Sequence, residues 1–135
     1  MKSMICASAL MLAFAAATTA GEAPTMSGAQ LYQEFCATCH GRSAHGDGPV
    51  ARTLKQQVPD LTLIAKRRGG VFPREVIHQF IDGRSMPRAH GTSEMPVWGW
   101  EFYGYEGEDA TRRRRVAELI DQLVEYLESI QDHAR

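Results

Sequence analysis

Residues 36–40, Cys-Ala-Thr-Cys-His, hold two of the three cysteines in this 135-residue chain. The pattern is compatible with a disulfide, half of a zinc site, a redox dithiol or the covalent attachment of haem. A disulfide that closes so small a loop would stabilise little. A structural zinc site needs four ligands, and no second Cys-x-x-Cys or finger-type histidine pair follows. A thioredoxin-like dithiol would lie in a βαβ pattern, which the sequence does not contain.

Haem attachment explains both the residue types and their spacing. Two thiols on one helical turn can reach the two vinyl groups along one edge of a porphyrin, and the adjacent imidazole can then bind the iron. The sequence therefore predicts one covalently bound haem c. Cys36 and Cys39 are its predicted thioether residues, and His40 is its first axial ligand.

The second face of the iron needs a ligand from another part of the chain. The later candidates are His45, His78, Met86, His90, Met95 and His133. His45 is too close in sequence to cross the porphyrin edge easily, His78 falls in an amphipathic helical pattern, and His133 is near the C-terminus. The segment 86–99, MPRAHGTSEMPVWG, is rich in Gly, Pro and Ser and predicts a loop that can wrap a haem.

Within that loop the local sequence favours Met95 as the axial ligand. Met95 leads into Val97 and Trp98, apolar residues that could close the haem crevice to water, whereas Met86 follows a predicted helix end closely. Met86, His90 and an open coordination position are the alternatives.

A second prediction concerns the other nitrogen of His40. Residues 46–49, Gly-Asp-Gly-Pro, predict a turn close to the haem. The carbonyl of Pro49 could accept a proton from the Nδ1 of His40 and make the iron-bound nitrogen a better donor. The alternative is that Pro49 only shapes the turn.

Hydrophobic periodicity predicts helices on both sides of the site. We expect a first helix over 28–39 with Ser27 as its N-cap, one or two helical turns over 50–56, and partly extended chain over 59–65. Further helices are expected at 73–83 and 108–132, the second with an apolar stripe of Val116, Leu119, Ile120, Leu123, Val124, Leu127 and Ile130. The basic runs 66–68 and 112–115 are either solvated faces or docking sites for an acidic partner.

Residues 1–20 have the layout of a secretory signal peptide: Lys2, an apolar run from Met4 to Ala17, and small residues before the expected cleavage after Ala20. The predicted organisation is a signal peptide over 1–20 and a monohaem domain over 21–135, exported to the periplasm. An uncleaved N-terminal anchor is the alternative. No later stretch is apolar enough to span a bilayer. Cleavage removes one of 15 basic residues and none of 16 acidic ones, so the resulting net charge of −2 does not suggest a nucleic-acid partner.

Several segments resemble the class I cytochrome c family, in particular its short bacterial periplasmic members. The similar stretches are the helix before CATCHG, then GDGPVARTL, PDLT, IDGR, EMPVWG and LVEYLESI. The resemblance implies an all-α cytochrome c fold whose N- and C-terminal helices cross, with Gly28 or its neighbours near Tyr126. It also implies thioethers at Cys36 and Cys39, axial ligation by His40 and Met95, and a Pro49 carbonyl on His40.

These features predict an electron carrier that is not itself an enzyme. Iron held by an imidazole and a thioether is six-coordinate in both oxidation states and has no free position for a substrate. We expect redox protein partners such as a dehydrogenase or a terminal oxidase or reductase. The first alternative is an electron-accepting haem subunit of a periplasmic dehydrogenase complex. The second is a catalytic or gas-binding haem with an open distal position.

Overall fold

The computed structural model describes residues 26–84, 94–103 and 109–132. Its α-helices are α1 (Gly28–Leu31), α2 (Ala37–His40), α3 (Ile64–Arg67), α4 (Arg74–Asp82), α5 (Trp98–Glu101) and α6 (Ala110–Ser129). A π-helical stretch, Tyr32–Cys36, joins α1 to α2, and 3₁₀ turns cover Ala51–Thr53 and Leu61–Leu63. The described residues contain no β-strand, which confirms the predicted all-α fold. The predicted signal peptide, 1–20, lies outside them.

The first helical run begins at Ser27, which is its N-cap as predicted, and the structure adds a capping box with Gln30. The Ser27 hydroxyl accepts from the backbone N–H of Gln30 at 3.3 Å, and the Gln30 side-chain oxygen accepts from the Ser27 N–H at 2.8 Å. These two bonds pair N–H groups that have no partner inside the helix. The chain then stays helical as far as His40, so the whole Cys-x-x-Cys-His motif lies at the C-terminal end of one continuous helical segment.

The first helix crosses the last one at Gly28, as the resemblance implies. A Cβ atom at Gly28 would lie 2.0 Å from the carbonyl oxygen of Gln122 and 2.9 Å from the Cβ of Tyr126. Only glycine permits so close a contact between two backbones. One turn further on, the rings of Tyr32 and Tyr126 pack with their centroids 5.2 Å apart.

The long helix α6 supplies five of the eleven buried residues of the hydrophobic core within the described ranges. Its N-cap is Asp109, whose carboxylate accepts from the N–H of Arg112 at 2.9 Å. Its buried face consists of Val116, Ile120, Leu123, Val124 and Leu127, at the predicted helical spacing. Both α1 and α4 pack against this helix. The helix α4 ends at Asp82, and Gly83 follows as its C-cap with a φ of 67°, the left-handed conformation favoured at a helix C-terminus.

The segment 59–65 differs from its prediction. Only Pro59 and Asp60 are non-helical, because Asp60 acts as an N-cap: its carboxylate accepts from the Thr62 N–H at 2.8 Å and starts the turn Leu61–Leu63. Gln131, which follows α6, then binds this turn through the Ala65 N–H and the Leu61 carbonyl, both at 2.8 Å.

Within the described ranges, no helix is long and apolar enough to cross a membrane.

Candidate functional site

The three residues of the predicted attachment motif lie on α2 and the residue before it. Cys36 is the N-cap of α2, and His40 is its last residue. Gly41 follows with a φ of 82°, and its carbonyl accepts from the buried hydroxyl of Tyr32 at 2.7 Å. The end of the helix is thereby fixed to the core, and so is the direction in which His40 leaves it.

Burial changes the pKa of two residues of the motif, and the change at His40 suits metal ligation. Neither Cys36 nor Cys39 is in a disulfide. Burial, with a smaller effect of the nearby Cys39, raises the pKa of Cys36 to about 12. Burial also lowers the pKa of His40, against the opposing effect of its hydrogen bond to the Pro59 carbonyl. His40 is therefore neutral at pH 7, and the neutral imidazole is the form that binds a metal.

The carbonyl that faces His40 is that of Pro59, and the assignment of this role to Pro49 needs correction. The Nδ1 of His40 lies 3.4 Å from the Pro59 oxygen. The turn that contains Pro49 is bonded instead to the backbone of α2, since the Gly46 N–H donates to the His40 carbonyl at 2.8 Å and the Gly48 N–H to the Cys39 carbonyl at 3.2 Å. The signal for Pro59 in the sequence is its place in PDLT, just before a helix cap, where the backbone is extended.

A cavity of about 320 Å³ lies over this motif. Its lining comes from three separate parts of the chain together with Phe80 of α4. The first part supplies Phe35, Cys36, Cys39 and His40; the second supplies Leu54, Gln56, Gln57, Val58 and Pro59; the third supplies Glu94, Met95, Pro96 and Trp98. The volume falls within the usual range of ligand pockets, and most of the lining side chains are apolar.

Met95 lines the same cavity as His40 and both cysteines, as a side chain partly buried against the core. Trp98, which the sequence predicted as a residue closing the crevice, also lines it. The Trp98 ring packs on Phe35 at 5.7 Å and on Phe102 at 5.4 Å between centroids. The alternatives Met86 and His90 lie outside the described residues.

The remaining histidines do not line the cavity where they are described. His45 is exposed, and its Nδ1 lies 3.1 Å from a carboxylate oxygen of Asp60. The Nε2 of His78 lies 3.5 Å from a carboxylate oxygen of Asp121 on α6. His133 lies outside the described residues.

The basic runs lie on the surface for most of their length. Lys66, Arg67 and Arg68 are exposed, and so is the range 113–115. Their exposure is compatible with a solvated face and with a docking site, so both interpretations stay open.

The arrangement fits a covalently held haem on the evidence of its donor set. Two thiols that could bond to the porphyrin line the same largely apolar cavity as a neutral imidazole and a thioether, and imidazole and thioether are ligands of haem iron in electron-transfer proteins. A family model described as cytochrome c oxidase, cbb3-type, subunit III matches residues 23–101, more than half of the chain. No curated protein and no solved structure matches the chain.

Proposed function

The chain belongs to the class I c-type cytochromes, a family that carries covalent haem c and transfers electrons, and on that premise we propose that it is an exported electron carrier with His/Met-ligated iron. In this proposal Cys36 and Cys39 hold the haem, and His40 and Met95 bind the iron. The observation that carries it is the single cavity lined by all four side chains. The haem supplies the one-electron redox chemistry, and the protein supplies ligation, orientation and exclusion of water.

Each side chain has a separate part in this arrangement. His40 binds iron through Nε2 while its Nδ1 faces the Pro59 oxygen, which fixes the tautomer. Met95 provides a neutral thioether, which favours the ferrous state relative to ligation by a second imidazole. The aromatic cluster of Phe35, Trp98 and Phe102 packs beside the crevice and limits access of water to it.

The ligand assignment can be tested by substitution in protein matured with haem. Met95→Ala should remove the weak near-infrared sulfur-to-iron band, whereas Met86→Ala should leave it. The reverse result would transfer the ligand role to Met86. Cys36→Ala combined with Cys39→Ala should abolish the haem that survives acid-acetone extraction, and a surviving covalent adduct would contradict the attachment sites.

Carbon monoxide tests the electron-carrier function itself. With Met95 on the iron, the reduced protein should bind carbon monoxide slowly and incompletely, because the thioether must first leave. Rapid and full binding would instead favour a gas-binding or catalytic haem.

Export is proposed from residues 1–20, with cleavage after Ala20. Mass measurement of protein recovered from periplasm should give a chain that begins at Gly21. Recovery of the full-length chain in the membrane fraction would favour the uncleaved anchor.

Membership of a complex is the second candidate function, favoured by the description of the matching family as an oxidase subunit. In that case the chain would pass electrons within an assembly, either an oxidase or the electron-accepting part of a dehydrogenase. Purification from native membranes and periplasm separates the two candidates, since a carrier elutes as a monomer and a subunit elutes with its partner.

A further inference from the structure

Glu94, the residue before the proposed ligand Met95, makes an unusual pair of contacts. Its two carboxylate oxygens accept from two consecutive backbone N–H groups, those of Lys55 and Gln56, each at 3.0 Å. The contact joins positions that are 39 and 38 residues apart in the chain.

The partner segment, 54–59, forms one wall of the haem cavity. Leu54, Gln56 and Val58 line the cavity, and the segment has no regular secondary structure of its own. At its far end the Pro59 carbonyl faces the Nδ1 of His40. One short stretch of backbone is therefore bonded to the neighbour of Met95 at its first half and to His40 at its end.

We propose that Glu94 is a positioning residue that holds Met95 on the iron by fixing its loop to the cavity wall 54–59. The proposal rests on the ligation by Met95 proposed above. A carboxylate suits this task because it accepts two N–H groups at once, and a hydrogen bond to a charged acceptor is stronger than one between neutral groups. Without the carboxylate, the two N–H groups return to water and the loop loses its attachment to the wall.

Glu94→Ala and Glu94→Gln distinguish the loss of both acceptor oxygens of the side chain from the loss of its charge and one acceptor. Alanine removes both acceptors, whereas glutamine keeps one oxygen and presents an N–H₂ group to the other backbone N–H. We expect the alanine variant to be the more affected of the two. Glu101→Gln is the matched control, because this substitution also removes one negative charge from the same part of the chain. Glu101 is exposed and lies outside the cavity lining.

Two measurements on the haem-loaded protein test the proposal. Hydrogen exchange followed by NMR should show the Lys55 and Gln56 amides exchanging about tenfold faster in Glu94→Ala than in the control. Cyanide should bind the ferric protein roughly three- to tenfold faster in the same variant, because cyanide binding requires the thioether to leave the iron. The haem absorption spectrum and far-ultraviolet circular dichroism of the control and both variants should show that all three are folded.

The outcomes distinguish this proposal from the one on which it rests. If the unsubstituted protein lacks the near-infrared sulfur-to-iron band, the Met95 assignment fails and this proposal fails with it. If that band is present and depends on Met95, but cyanide binds the Glu94 variants at the control rate, this proposal alone is overturned. Unchanged exchange of both amides would overturn the contact itself.

Discussion

Tyr32 shows how one buried polar group fixes the end of the haem-binding helix. Its side chain is fully buried, and its hydroxyl donates to the carbonyl of Gly41, the residue directly after His40. That carbonyl also accepts from the Ala44 N–H at 3.1 Å, so it would keep one partner if the hydroxyl were removed. The cost of losing the hydroxyl should therefore be that of one ordinary hydrogen bond.

Tyr32→Phe should lower the free energy of unfolding by about 1 kcal/mol at neutral pH. Burial raises the pKa of Tyr32 well above its ordinary value of 10.0, so the folded protein keeps the proton where the unfolded chain loses it. This contribution to stability is complete below pH 10 and is lost as the pH rises above it. Urea unfolding from pH 7 to pH 11 should show a shallower alkaline loss in Tyr32→Phe than in the unsubstituted protein, and parallel losses would contradict the assignment.

At the scale of elements, the crossing of α1 and α6 depends on the absence of a side chain at Gly28. Alanine has the higher helix propensity, so in an open helix Gly28→Ala would stabilise the protein by up to about 1 kcal/mol. Here the new Cβ would lie 2.0 Å from the Gln122 carbonyl oxygen, and the two helices would have to separate.

We therefore expect Gly28→Ala to destabilise the protein by about 2–3 kcal/mol, as overpacked contacts commonly do. Urea denaturation measures the change. Ala29→Gly at the adjacent exposed position is the control, and it should cost only the propensity difference of about 1 kcal/mol. The sign of the change in unfolding free energy tests the helix crossing, because a stabilised Gly28→Ala protein would mean that α1 and α6 do not meet at Gly28.

A second junction between elements joins α4 to α5. The carboxylate of Asp82 accepts from the Arg84 guanidinium through two bonds of 2.7 Å, and a Cβ at Gly99 would lie 2.4 Å from the same carboxylate. The guanidinium carbon also lies 5.9 Å from the Trp100 ring centroid. The ion pair of Asp82 and Arg84 thus packs against α5, the helix that follows Met95.

Asp82→Asn should destabilise the protein by about 1–2 kcal/mol at neutral pH, the usual cost of losing a partly buried, charge-assisted hydrogen bond. The Arg84 hydrogen bonds hold the Asp82 pKa below its usual 3.8. The stabilisation is therefore complete above pH 3.8 and disappears as the pH falls through the lowered pKa. The unfolding free energies of Asp82→Asn and the unsubstituted protein, measured by urea denaturation, should converge in acid. The control Glu125→Gln, at an exposed position of α6, should change the unfolding free energy little at any pH.

The long helices could be predicted from the sequence, and the short connections could not. For α4 and α6 the apolar stripes and the flanking Asp109 and Gly83 define helices whose bounds the structure matches to within a few residues. In the segment 59–65 the helical turns depend on the Asp60 cap and on Gln131, whose contact is 66 residues away and invisible to local patterns. The same limit affected the site: the cysteines and His40 form one contiguous motif, but which carbonyl faces His40 depends on tertiary packing.

At the scale of the whole molecule, two parts of the protein are stabilised by different contacts: the crossing of α1 and α6 by buried side chains, and the segments around the cavity by packing on the haem. The contact of α1 with α6 is made by buried side chains such as Leu31 and Ile120, which do not line the cavity. The segments 54–59 and 94–98 lie around the cavity instead. Phe80, which also lines it, is 52% exposed, and a haem in the cavity would cover this apolar surface.

The two parts should therefore respond differently when the haem is missing. In Cys36→Ala combined with Cys39→Ala, the cavity lining loses its apolar partner, and each large side chain left exposed costs about 1.5–3 kcal/mol. We expect the free energy of unfolding to fall by about 3 kcal/mol or more, measured by urea denaturation. Hydrogen exchange should localise the loss: amides in 54–59 and 94–98 should lose their protection while those in the middle of α6 keep most of theirs. A uniform loss of protection along the chain would show that the crossing of α1 and α6 also depends on the haem. Unchanged exchange in both segments would show that the cavity walls stay ordered without haem.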